Sequence, residues 1–320
     1  MSNLETGLPD GAEDFIGADA EELERIRNYL LSKFKRHGCQ LVMPSLIEFS
    51  ESLGGKMNAS LKDFAYSFSD DSSSSEISVR PDMSQQIARI DTQIGIKKTQ
   101  KYCYFGETLR KTKDSLTKSR IAYKAGVELF GKIKVADEIS TIKLLISSLK
   151  SLGKYKITLS LGRTEPLSEI IGGLDLSKED VKKLKKIMSS KSTSDLMDFC
   201  KVKKIKATHY KELNNLISLH GTKENLRYLK QHKKKIFQES GKKVEKVIKN
   251  LPSSVDCHID FSDFPGFDYH KGLVFSIHVA GFGFSLAKGG QYLVENLSSK
   301  REAIGFDINV SSLMKIKNKK

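Results

Sequence analysis

The chain has 320 residues, 38% hydrophobic and 29% charged, which excludes an intrinsically disordered chain. No run of about 18 apolar residues offers a membrane span, and the N-terminus MSNLETGLPDGAEDF lacks the apolar core of a secretion signal, so a cytoplasmic protein is expected. The formal net charge of +15 permits anionic partners such as nucleic acid or phosphorylated metabolites, although a lysine-rich solvated surface is the simpler account. Four cysteines (Cys39, Cys103, Cys200, Cys257) show no CxxC spacing. They read as reduced, mostly packed thiols, with no metal site expected.

In chain order, residues 19–37 read as an amphipathic helix, with Leu23, Ile26, Leu30 and Phe34 on one face and Gly38 as a stop. Asp19 is the expected N-cap, with Glu22 in capping-box register. A short strand QLVMP ends at Pro44. Residues 64–80 read as a hairpin whose tip is DDSSSSE, followed by a helix over 84–93. Strands at 101–110 and 120–130 flank a basic turn, and a helix is expected at 135–152 before the strand KITLSL. Between 164 and 250 the spacing turns helical in five segments: 177–188, 194–201, 209–219, 222–231 and 233–250. Ser177 and Thr222 act as start signals. Strand patterns resume at 255–261, 272–280, 283–287 and 303–309. Their hairpin spacing predicts an antiparallel sheet in an α+β domain.

The stretch 80–131 carries the chemistry. Arg80 and Arg110 end two strand-like runs, and Arg120 opens a third that contains Glu128. On neighbouring antiparallel strands, alternating charged residues project from one face into a common cleft suited to a zwitterionic or phosphorylated small molecule.

These segments, RPDMSQQIAR, KYCYFGETLR and AGVELFG, resemble in order the catalytic-domain motifs of histidyl-tRNA synthetase. The tail QQIAR resembles one branch of that family, the regulatory subunits of ATP phosphoribosyltransferase. The resemblance covers nearly the whole chain, most securely 8–150 and 255–314. It implies an α+β fold: a class II aminoacyl-tRNA synthetase-like antiparallel sheet flanked by helices, formed by residues 1–163 and 251–320. Residues 164–250 would be a mostly helical, lysine-rich insertion. The Pro-ended strand at 40–44 resembles the motif through which the family dimerises.

The resemblance also implies roles. Asp82 would hold a ligand ammonium through a charge-assisted hydrogen bond, with Ser84 as a second contact; Asp82 also reads as the N-cap of the helix at 84–93. Arg110 would grip a carboxylate with its planar fork, and Arg120 matches an arginine that contacts ATP. Lys124 stands where the family has a glutamine, Thr112 where it has a glutamate, and Glu128 matches an acid that binds the histidine imidazole. In GFDYHKGLVF, residues 266–275, Tyr269 and His270 take the places of the histidine-specific tyrosines, and Tyr292 is retained in KGGQYLVENL.

Departures fall on the ATP side. Pro265, Gln291 and the pair Ser311–Ser312 stand where the family places arginines or an arginine-bearing motif, and each lost contact of this kind costs on the order of 10²–10³ in rate. The implied protein has no catalytic residues and no cofactor. It would bind free histidine as an effector and join a short-form ATP phosphoribosyltransferase catalytic subunit, as a self-dimer within a hetero-octamer. A second reading, a synthetase paralogue that binds tRNA or another nucleic acid, rests on the charge of the insertion.

Overall fold

The computed structural model describes residues 7–53, 61–72, 74–114, 116–262, 270–295 and 300–317. Among them run twelve strands: β1 (Gln40–Leu41), β2 (Ile47–Phe49), β3 (Ser67–Asp70), β4 (Ser75–Val79), β5 (Gln100–Leu109), β6 (Ile121–Gly131), β7 (Ile157–Arg163), β8 (His220–Gly221), β9 (Asp256–Asp260), β10 (His270–Val279), β11 (Ser285–Glu295) and β12 (Lys300–Asn309). Nine form one sheet in the order β1-β5-β6-β12-β11-β10-β7-β9-β8, and three form a smaller sheet, β2-β4-β3. The centre of the large sheet is antiparallel, as the hairpin spacing predicts. The pairs β1–β5 and β7–β9 are parallel, so the sheet is mixed toward its ends. In both parallel pairs the chain between the partners includes helices, the kind of crossover that parallel pairing requires.

Period-two alternation sorts the side chains of the central strands. Ala125, Val127 and Leu129 of β6, with Ile304, Phe306 and Ile308 of β12, join the main core beneath the helices Ala18–Arg36, Val135–Leu152 and Val310–Lys317. That core runs on through Leu184, Met188, Leu213, Leu216, Phe237 and Val244, which belong to the helices between β7 and β9. The opposite face carries a smaller cluster of Met83, Ile87, Tyr102, Tyr104, Phe130 and Tyr292, roofed by the helix Ser84–Ile94. This second face holds the candidate site.

The helix Val135–Leu152 has the expected limits, and Ser177 caps its helix by accepting from the Asp180 amide at 3.1 Å. Asp19 does not cap the first helix. Gly17 holds the N-cap position, its carbonyl accepts from the Glu21 amide at 3.0 Å, and Asp19 lies in the first turn, where a carboxylate still complements the exposed N–H groups. Thr222 does hold the N-cap position of the short 3-10 helix Lys223–Asn225, as expected of a start signal, though without a side-chain cap hydrogen bond. The strand read at 283–287 runs on to Glu295, and the final strand stops at Asn309. There Asn309 Oδ1 accepts from the Ser312 amide at 3.0 Å and Val310–Lys317 turns helical.

The small sheet is built inside out. Ser50, Ser67 and Ser78 are joined by hydroxyl contacts of 2.6 and 2.7 Å, while Ile47, Phe49 and Phe68 point to solvent at 44%, 54% and 49% exposure. No helix among the described residues is long and apolar enough to cross a membrane.

Candidate functional site

Five of the expected residues converge on one sheet face. β6 supplies Lys124 and Glu128, four positions apart and so about 13 Å along the strand; β11 supplies Tyr292; the turn after β4 supplies Asp82, and the start of the following helix supplies Ser84. Glu128 is 1% exposed. Its two oxygens accept from Ser84 Oγ at 2.7 Å and Tyr292 Oη at 2.8 Å. It lies across Gly305 of β12, where a Cβ would stand 1.8 Å from Oε2, so only glycine leaves room for the carboxyl. Burial pushes the Glu128 carboxyl up to about 8, aided by nearby Asp82 and Asp307; the two hydroxyl donors only partly offset this.

Asp82 is equally enclosed. One oxygen accepts from the Met83 amide at 2.9 Å, while the other, Oδ2, makes no hydrogen bond among the described residues. Asp82 thus does not cap the helix Ser84–Ile94 as expected; Met83 takes that position. The Tyr104 hydroxyl, beside Ser84, is also buried without a well-formed hydrogen bond among the described residues. A buried acceptor and a buried hydroxyl of this kind carry hydrogen-bonding capacity that a ligand donor would satisfy.

Beside this buried cluster opens a cavity of about 400 Å³ lined by Arg110, Arg120, Lys124, Lys288, Asp307 and Asn309 among others. Lys124 stands at the junction. Its Nζ lies 3.2 Å from Asp307 Oδ2 and 3.6 Å from Asp82 Oδ1. Arg110 Nε donates to the Pro81 carbonyl at 2.8 Å, which fixes the guanidinium at the cavity wall. Arg80 does not join it. Its guanidinium donates to the carbonyls of Glu107 at 2.6 Å and of Pro44 and Ser45 at 2.7 and 3.3 Å, so it stitches three chain segments together instead of facing a ligand.

Tyr269 and Pro265 lie outside the described residues. His270 opens β10, and its backbone is in register with Tyr292. Ser311, read at an ATP-side position, is buried in the first turn of the last helix and accepts from the Tyr123 amide at 2.9 Å. Two contributors escaped the sequence reading, Tyr104 and Asp307. Both sit on the site face of strands whose alternation was legible, Asp307 in register with Gly126 and Lys288, and that alternation was the signal for them.

A family model described as histidyl-tRNA synthetase matches residues 11–313. The ATP phosphoribosyltransferase regulatory subunit of Hydrogenovibrio crunogenus is 31% identical over 316 residues, spanning 94% of this chain and 80% of the relative. A solved structure from Bacillus halodurans, described as an ATP phosphoribosyltransferase regulatory subunit/histidyl-tRNA synthetase, superposes with a TM-score of 0.81 at 19% identity, covering 98% of this chain and 84% of that one. The ATP phosphoribosyl transferase (HisG:HisZ) complex of Thermotoga maritima superposes with a TM-score of 0.69 at 16% identity, covering 89% and 96%. Those two likenesses establish the class II synthetase-like fold. The family match, running almost from end to end, together with the curated relative, makes this chain a member of the histidyl-tRNA synthetase family and a homologue of the regulatory subunits of ATP phosphoribosyltransferase.

Proposed function

We propose that this chain is a non-catalytic regulatory subunit that binds free histidine and associates with a short-form ATP phosphoribosyltransferase catalytic subunit, activating it and conveying feedback inhibition. The carrying observation is the buried cluster in which Glu128 is held by Ser84 and Tyr292 beside Asp82, whose Oδ2 has no hydrogen-bond partner among the described residues. A neutral imidazole meeting a protonated Glu128 carries the same proton as an imidazolium–carboxylate pair. Histidine can therefore dock near neutral pH with little net proton uptake, the proton passing from carboxyl to ring. Arg110 at the mouth suits the ligand carboxylate. On the nucleotide side, Ser311 is spent on the backbone of β6 and so offers no cationic clamp.

Regulation has physical content only if histidine binds the active and inactive assemblies with different affinity. The test is an activity assay of the short catalytic subunit with and without this chain, over a histidine titration. Full turnover and histidine inhibition should both require the chain. Asp82→Ala and Glu128→Ala should abolish the inhibition; inhibition that survives both variants places the effector site elsewhere.

A self-dimer completes the reading, within a hetero-octamer. Met43, Leu46, Ile47, Phe49 and Phe68 are exposed around the Pro-ended segment and the small sheet, an apolar surface suited to a second copy. We also retain the division into a synthetase-like domain, 1–163 and 251–320, and a helical insertion, 164–250. The insertion favours the second reading, nucleic-acid binding, through its 21 Lys and Arg against 11 Asp and Glu. Binding of that kind would weaken steeply with salt, and a filter-binding titration without affinity for tRNA at low salt removes it.

A further inference from the structure

The Lys124 side chain occupies an unusual position for a pocket-wall cation. Its Nζ bridges Asp307 at 3.2 Å and Asp82 at 3.6 Å, and the residue is about nine-tenths buried. It stands between the open cavity, which it lines, and the buried cluster that holds Glu128. Asp82 is the carboxylate of that cluster with an oxygen unpartnered among the described residues, so a ligand ammonium drawn to it meets a positive charge already in place. Two like charges sharing one carboxylate within a few ångströms repel strongly where water is scarce.

We propose that Lys124 is a tethered occupant of the amine-accepting position, so that a ligand bringing its own ammonium must displace it and the site favours an imidazole carboxylate lacking the α-amine. This rests on the histidine-pocket reading and sharpens it: the ring and carboxylate are recognised by Glu128 and by Arg110, while the ammonium competes with a built-in rival. Lys124 has somewhere to go. Swinging off Asp82, its ammonium enters the adjoining cavity, where Asp307 remains within reach. The lysine thereby sets how high the free ligand must rise before the site fills.

Calorimetric titration of the full chain with histidine and with 3-(imidazol-4-yl)propionate, on wild type, Lys124→Gln and Lys124→Met, tests this. Wild type should bind the propionate at least as tightly as histidine, and the preference should swing at least tenfold toward histidine in both variants. Adding Asp82→Asn to Lys124→Gln should cancel that gain. An unchanged preference in variants that still bind histidine overturns the proposal and leaves the histidine pocket standing. If none of the proteins binds either ligand, the pocket reading falls, and this proposal with it. Should the variants fail to fold, wild type decides alone: a tenfold or greater preference for histidine over the propionate refutes the rival cation.

Discussion

Replacing Glu128 with glutamine isolates the electrostatics of the buried cluster. Glutamine keeps the shape of the neutral acid, and its amide can still pair with the Ser84 and Tyr292 hydroxyls. The ordinary carboxyl value of 4.5 becomes about 8 in the folded chain. Between those limits the native state holds a proton that the unfolded chain has released. Stability therefore falls as pH rises through the window, by about 1.4 kcal/mol per pH unit, or on the order of 4 kcal/mol from pH 5 to pH 8. The variant carries no such group. It should unfold at nearly the same urea concentration as wild type at pH 5, and be several kcal/mol more stable than wild type at pH 8.5. Denaturant titrations at five pH values between 5 and 9 measure both curves. If the two lines run parallel across that range, Glu128 does not hold a proton in the folded chain and the argument from its burial is wrong.

Three further outcomes follow from the contacts. Arg80→Leu strands the carbonyls of Pro44 and Glu107 and should cost about 2–4 kcal/mol in denaturant unfolding, with histidine affinity reduced only as far as the fold is. Arg163 pairs with Glu138 at 2.8 Å and Glu165 at 2.9 Å in the interior, so Arg163→Ala should cost about 3–5 kcal/mol by leaving buried carboxylates unpaired, whereas a loss under 1 kcal/mol would mean water reaches them. Burial raises the thiols of Cys39 and Cys103 to about 11 and about 12, so neither should react with iodoacetamide at pH 8 in the native chain, while both should react once it is unfolded in urea.

Much of the site was legible because strand alternation is a strict rule. Once β5, β6 and the late strands are placed, Tyr104, Lys124, Glu128, Tyr292 and Asp307 must share a face, and the structure puts them there. Arg80 shows where the rule stops. Its position at a strand end was readable, but the backbone carbonyls of Pro44, Ser45 and Glu107 claim its guanidinium, and that demand is set by tertiary packing. The true length of β11 was hidden by Gly289 and Gly290, which break the hydrophobic pattern. Gly289 sits within the strand because the Phe275 ring crosses it, where a Cβ would come within 2.5 Å. The last helix was unreadable for a similar reason. Asn309 both ends the strand and caps the helix, and VSSL fits either pattern until that cap is seen.

The inverted small sheet reverses the usual rules for altering a protein. Phe49, Ile77 and Phe68 fall in one cross-strand row on its outer side, and the serine hydroxyls form a chain on the inner one. Conventional repair, with a lysine at 49 to aid solubility and a valine at 78 to enrich the interior, would sever the hydroxyl chain and erase the greasy outer row in the same stroke. Any stabilised version of this chain has to leave that sheet with its polarity turned outside in.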